Sequence, residues 1–149
     1  MADRTQRPET TLQIKRTFAA AREKVFQAWT VPEKLEKWFA PSDGYTTKVA
    51  ELDLCVGGRY RIEIRSPEGK VHSLVGAYKE IKPFEKLVYT WSWQERNEEF
   101  GETLVTVEFR DLGGVTEIVL THEFLPTADD RAEHEGGWAG CLDRLPKVL

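Results

Sequence analysis

Trp138, Cys141, Leu142, Leu145, Val148 and Leu149 recur at steps of three and four along the final stretch of the chain. At 3.6 residues per turn these side chains share one face, which predicts a long amphipathic helix from Thr127 to Leu149. Thr127 is a natural N-cap, because its hydroxyl can accept from the first orphan amides, and Asp130 stands in the partner position of a capping box. Asp129, Asp130 and Glu133 put negative charge near the positive end of the helix dipole, and Arg144 and Lys147 put positive charge near the other. Gly136, Gly137 and Gly140 each cost such a helix about 1 kcal/mol relative to Ala. They mark either a close approach of the sheet backbone or a bend that opens an entrance. Pro146 breaks the last turn.

A striped helix of this length needs an apolar surface to lie on, and the residues before it supply one. From Tyr45 to Phe124 the apolar period is two. Strands are expected at Tyr45 to Leu54, Arg59 to Arg65, Val71 to Ile81, Lys86 to Trp93, Thr103 to Arg110 and Val115 to Phe124. The clearest sets Tyr60, Ile62 and Ile64 against Arg59, Arg61, Glu63 and Arg65. Another sets Leu87, Tyr89, Trp91 and Trp93 against Val88, Thr90 and Ser92. Turns at Ser66-Pro67-Glu68-Gly69-Lys70 and Asp111-Leu112-Gly113-Gly114 carry the residues that tight turns require. Glu95 to Gly101 reads as a solvated hairpin end. Before this run come a strand from Thr11 to Phe18 and two short helices. The first has Val25, Phe26 and Trp29 as its apolar face; the second starts at Pro32 and has Leu35, Trp38 and Phe39.

Consecutive strands joined by short turns predict an antiparallel meander with one covered face. The expected fold is therefore α+β: a curved antiparallel sheet wrapped around a long C-terminal helix, with two short helices after the first strand. The polar residues 1–10 are expected to fray, and 11–149 to form a single domain. At 149 residues such a domain buries a real core, roughly 70% of its unfolded surface, without help from metal or disulfides.

The composition narrows the functional classes. A net charge of −4 argues against nonspecific binding to nucleic acid or to an anionic membrane. No apolar run approaches the ~20 residues of a membrane span, and the N-terminus lacks the apolar segment of a signal peptide. Cys55 and Cys141 fit no metal-ligand spacing and are expected as free thiols in a reducing cytoplasm, Cys141 buried and inert on the helix stripe. His72 and His134 read as solvent-facing. There is no H-x-x-x-H, C-x-x-C, G-x-S-x-G, P-loop or G-x-G-x-x-G pattern, so neither a metal nor a cofactor is expected.

Seven pieces, in order, resemble a known family. They are V-F-Q-A-W-T at 25–30, P-E-K-L-E-K-W-F-A-P at 32–41, V-G-G at 56–58, G-A-Y-K-E-I-K-P at 76–83, L-V-Y-T-W at 87–91, V-T-V-E-F at 105–109 and H-E-G-G-W-A-G-C-L-D-R-L at 134–145. Together they resemble the START-like (SRPBCC, helix-grip) superfamily, in the bacterial branch named after the activator of the heat-shock protein 90 ATPase. The resemblance implies a cavity between the concave sheet and the long helix, and members that bind or transform lipids, polyketides and aromatics. The chain holds one such module, so the chaperone stimulation of the multi-module eukaryotic co-chaperone is not carried over.

Tyr60, Ile62, Tyr89, Trp91, Val107, Phe109, Trp138 and Leu142 face the sheet–helix layer, either as plain core or as walls of that cavity. His122 stands on an apolar strand face. It is either a satisfied buried histidine or a polar anchor, and in an enzyme it would be the acid/base. Arg16, on the apolar side of the first strand, needs a carboxylate, which Glu51 or Asp53 could supply, and such a pair could also hold a ligand. The expected function is a cytoplasmic binding protein for a small, largely apolar ligand, with a homodimer left open. Two alternatives stand beside it. One is a cyclase, dehydratase or hydrolase on the same fold. The other is a chaperone-related interaction module, which would have a filled interior and an exposed apolar patch.

Overall fold

A computed structural model describes residues 10–149; the N-terminal stretch expected to fray lies, up to residue 9, outside the described residues. Seven strands form one antiparallel sheet: β1 (Leu12–Phe18), β2 (Thr46–Leu52), β3 (Arg59–Arg65), β4 (Val71–Lys82), β5 (Lys86–Trp93), β6 (Thr103–Asp111) and β7 (Thr116–Glu123). Helices α1 (Arg22–Thr30) and α2 (Pro32–Trp38) follow β1, α3 (Asn97–Phe100) lies between β5 and β6, and α4 (Ala128–Arg144) follows β7. The strand order is β1-β7-β6-β5-β4-β3-β2. Strands β2 to β7 are the expected meander, and β1 pairs with the last strand, Leu12 opposite His122 and Phe18 opposite Thr116. Register shifts at Val49/Glu51 and Tyr78/Glu80 break the ladders of β2 and β4; such irregularities bend and twist a sheet.

In β3 and β6 the alternation in the sequence is the burial pattern. In β3 Tyr60, Ile62 and Ile64 are buried and the residues between them are not. In β6 Thr103, Val105, Val107 and Phe109 are buried. The inward faces meet α1, α2 and α4, giving an α+β helix-grip layer arrangement with one continuous core. Gly76 permits one close contact inside it. A Cβ there would lie 2.6 Å from the Tyr60 ring and 2.0 Å from the Thr90 carbonyl oxygen. Without it, Tyr60 crosses the strand and donates its hydroxyl to that carbonyl.

The helix α4 begins as expected. The Asp130 amide donates to Thr127 Oγ1 at 3.0 Å, and the Thr127 hydroxyl donates to the Asp130 carboxylate at 3.0 Å; a cap of this kind contributes about 1 kcal/mol. It ends earlier than the stripe suggests, because Pro146 turns Leu145–Val148 into a 3-10 turn.

Three local expectations are corrected. Glu95 to Gly101 is not a plain hairpin end. Gln94–Arg96 forms a 3-10 turn and Asn97–Phe100 a short helix that buries Phe100. Arg16 does not pair with Glu51 or Asp53, because β2 lies at the opposite edge of the sheet. Its guanidinium donates instead to Asp143 of α4 at 2.7 Å, and at 33% and 69% side-chain exposure this pair is a surface bridge. The close approach at Gly140 is made by the loop after α2, not the sheet: a Cβ there would lie 1.9 Å from the Pro41 carbonyl oxygen.

Candidate functional site

The space between the sheet and the helices is divided. One part is a cavity of about 380 Å³ lined by Phe39, Pro41, Tyr45, Ile64, His72, Trp91, Trp93, Glu133, His134, Gly137, Trp138 and Cys141. The other is a void of only about 20 Å³ among Trp29, Leu35, Phe39, Tyr60, Ile62, Leu74, Tyr78, Leu87, Tyr89 and Trp91. Phe39 and Trp91 line both, with ring centroids 5.9 Å apart.

The strand alternation positions the sheet side of the cavity. Trp91 and Trp93 are two residues apart on β5, so both face α4, and they meet edge to face at 5.6 Å. Trp138 faces them from the helix, 5.0 Å from Trp91 between ring centroids. Four residues before Trp138, one helical turn along the same face, comes His134. Between them Gly137 adds no side chain, and a Cβ at that position would meet nothing within 4 Å. The cavity exists partly because the helix presents a glycine there.

Two neutral histidines organise this end. The Trp138 indole N–H donates to His122 Nδ1 at 3.2 Å. His122 Nε2–H donates to Thr103 Oγ1 at 2.8 Å, and the Thr103 hydroxyl donates to the Trp91 carbonyl at 2.8 Å. The Trp93 indole N–H donates to His134 Nε2 at 2.9 Å, and His134 Nδ1–H donates to the Asp130 carbonyl at 2.7 Å. These donor and acceptor roles are the ones that let each imidazole be neutral with both nitrogens partnered. Burial pushes the His122 imidazole well below its ordinary range, and the neighbouring His134 adds to this. Burial likewise lowers His134, outweighing the hydrogen bond to the Asp130 carbonyl and the nearby carboxylates of Glu133 and Asp130. The 3-10 turn and α3 after β5 cover this edge: Phe100 of α3 stacks on His134 at 5.2 Å, and Arg96 of the turn bridges Asp130 at 3.0 Å.

The structure separates the residues singled out from the sequence. Trp91 and Trp138 line the cavity. Tyr60, Ile62 and Tyr89 line the small void, with Trp29 donating to the Tyr89 hydroxyl at 3.3 Å. Val107, Phe109 and Leu142 are core and line neither space. His122 is fully buried behind Trp91 and Trp138. Arg16 sits with Asp143, away from both. His134, expected to face solvent, is buried; His72 is half-buried, lines the cavity and lies 3.6 Å from Glu95. His134 was legible in principle, since extending the Trp138 stripe back by four residues reaches it and then Asp130. Tyr45, Ile64 and Trp93 also went unmarked, although Ile64 and Trp93 carry the same alternation as their marked neighbours.

Cys141 contributes a buried free thiol to the wall, its pKa pushed up to about 12 by burial; Cys55 is exposed and also free. Among the described residues no group of three or more His, Cys, Asp or Glu could hold a metal ion, and no helix is long and apolar enough to cross a membrane.

The sequence profile of the family described as Activator of Hsp90 ATPase homolog 1-like protein matches residues 19–149. The chain belongs to that family. Solved structures agree with this assignment. A protein from Chromobacterium violaceum is 28% identical, with 94% of this chain and 96% of that one covered and a TM-score of 0.86. The AHSA1 protein of Silicibacter pomeroyi is 25% identical, covering 92% and 95%, with a TM-score of 0.79. A protein from Rhizobium leguminosarum is 28% identical, covering 93% and 92%, with a TM-score of 0.74. Among proteins with curated descriptions, none matches this chain. Within the Activator of Hsp90 ATPase homolog 1-like family, then, this member has a START-like sheet and helix that enclose an aromatic cavity at one end and a packed core at the other.

Proposed function

We propose that this chain is a cytoplasmic binding protein for a small, largely apolar, ring-bearing molecule held between the sheet and α4. The observation that carries the reading is the cavity of about 380 Å³ walled by Phe39, Tyr45, Trp91, Trp93 and Trp138. Concave sites of this size with mostly aromatic walls and few polar groups are the usual form of small-molecule sites. A catalytic role for histidine is less well supported. His122 is enclosed behind two tryptophans, and both of its nitrogens are engaged. His134 reaches the wall, but both of its nitrogens are engaged as well. The interaction-module reading expects a filled interior.

Gly137→Leu tests the proposal, because it fills the cavity from the helix side without replacing a wall. The neutral fluorophore N-phenyl-1-naphthylamine is expected to bind the wild type saturably with enhanced emission, and the variant at least tenfold more weakly. The variant's Tm should be equal or higher, since Leu is the better helix former. Equal binding by both proteins, or no saturable binding by the wild type, would overturn the assignment.

A further inference from the structure

The cavity wall is unevenly open. Phe39, Trp91 and Trp138 keep only 4%, 5% and 2% of their surface exposed. The aromatic and polar lining residues that stay open to solvent are Tyr45, just before β2, His72 of β4, Trp93 at the end of β5 and Glu133 of α4. The first three are half-buried and Glu133 is exposed. A solute entering the cavity therefore meets an indole, a phenol, an imidazole and a carboxylate, and these decide which head group it can carry.

The charges at this rim are unequal. Among the described residues lining the cavity, Glu133 is the only Asp, Glu, Lys or Arg. Among the described residues no cation pairs with its carboxylate: Arg131 of the same helix bridges Glu135, and Arg96 bridges Asp130 and Glu99. The Glu133 charge is felt at the wall, where it works against the effect of burial on the His134 imidazole. His72 is the lining residue open to solvent that could supply a cation, but its Nδ1 lies 3.6 Å from the Glu95 carboxylate, so a proton gained there is matched locally. The rim thus holds unmatched negative charge beside the electron-rich faces of two aromatic rings.

We infer that the ligand is an organic cation, an arylalkylammonium whose ring system enters the cavity while its nitrogen stays at the rim, against Tyr45, Trp93 and the Glu133 carboxylate. The inference rests on the proposed binding role and adds the charge class of the ligand. A cation near an aromatic face is held by the ring quadrupole, most strongly by an indole. At the rim the ammonium keeps part of its hydration, so it escapes the cost that a charge carried to the buried rings would meet. An anion in the same place would meet Glu133 and, beside His72, Glu95.

The series 1-naphthylmethylammonium, 1-naphthylmethanol and 1-naphthoate shares one ring system and differs in charge, so calorimetric titration of the three isolates it. Wild type is expected to bind the cation about fivefold more tightly than the alcohol, the size of a cation–π contact together with an exposed ion pair. The naphthoate should bind most weakly. Glu133→Gln, at an exposed helix position, should weaken the cation about threefold and leave the alcohol within error. Tyr45→Leu keeps an apolar wall but removes a ring, so it should cost the cation more than the alcohol. Alcohol binding as tight as that of the cation, or a cation affinity that Glu133→Gln does not change, would overturn the inference alone. Equal losses in Tyr45→Leu would overturn the part assigned to that ring. Tightest binding of the naphthoate would overturn the cation assignment and make His72 the anchor. Failure of all three to bind would overturn the binding role and the inference with it.

Discussion

Phe39 and Trp91 stand between two compartments of one interior, and the compartments were filled by different means. On one side α1 and α2 drive Trp29 and Leu35 against Tyr60, Tyr78 and Tyr89 of the sheet, and almost no space remains. The phenol hydroxyls are taken up locally: Tyr60 donates to Thr90, and Tyr89 accepts from Trp29. On the other side α4 and the segment after α2 face the sheet, and α4 offers Gly137 where a side chain could have filled the gap. The polar edges there are absorbed by two imidazoles instead. The same sheet face, with the same alternating aromatics, thus gives solid core or open cavity according to what the opposing helices insert.

Truncations should measure that difference most strongly. Leu87→Ala, at a fully buried site of the packed end, is expected to cost about 3 kcal/mol in urea unfolding, because the surrounding rings cannot close the gap. Ile64→Ala, in the cavity wall, should cost about half as much, since part of its surface already lacks packing partners. Equal costs would mean that the two ends are packed alike.

Two glycines one turn apart sharpen the comparison on the helix itself. Gly140→Ala should destabilise by about 2 kcal/mol, because its Cβ would collide with the Pro41 backbone. Gly137→Ala should stabilise by up to about 1 kcal/mol, because the helix gains and nothing is struck. Thermal melts of the two variants should therefore move in opposite directions. A loss at Gly137 would show that the space beside it is not free.

The pH dependence of stability also divides the two ends. His122 and His134 have folded-state pKa values below the unfolded value of about 6.5, so the unfolded chain binds more protons in that window. Their contribution is complete above about pH 6.5 and is lost as pH falls below it, by roughly 1 kcal/mol per histidine for each pH unit until the folded value is reached. Tyr60 and Tyr89, at the packed end, are raised by burial, so their contribution is complete below about pH 10 and is lost above it. Urea midpoints at pH 7.5 and 5.5 test the acid limb. A flat profile there would mean that the imidazoles protonate without disturbing their tryptophan partners.

Much of this was legible in the chain because it depends on local period. Alternation every two residues placed the inward faces of β3, β5 and β6, and the stripe through Trp138 and Leu142 placed α4 with Thr127 at its cap. These follow from backbone geometry, which each segment carries by itself. The pairing of β1 with β7, the Arg16–Asp143 bridge and the burial of His134 under Phe100 do not, because they join residues far apart in the chain or in the sheet. The division into wall and core has the same origin. Tyr89 and Trp91 are both large buried aromatics on the same strand face, yet one lines a void of about 20 Å³ and the other also a cavity of about 380 Å³. The sequence by itself determined which side chains turn inward. Only the tertiary structure decided whether anything would stand opposite them, since that depends on how helices distant in sequence dock on the sheet.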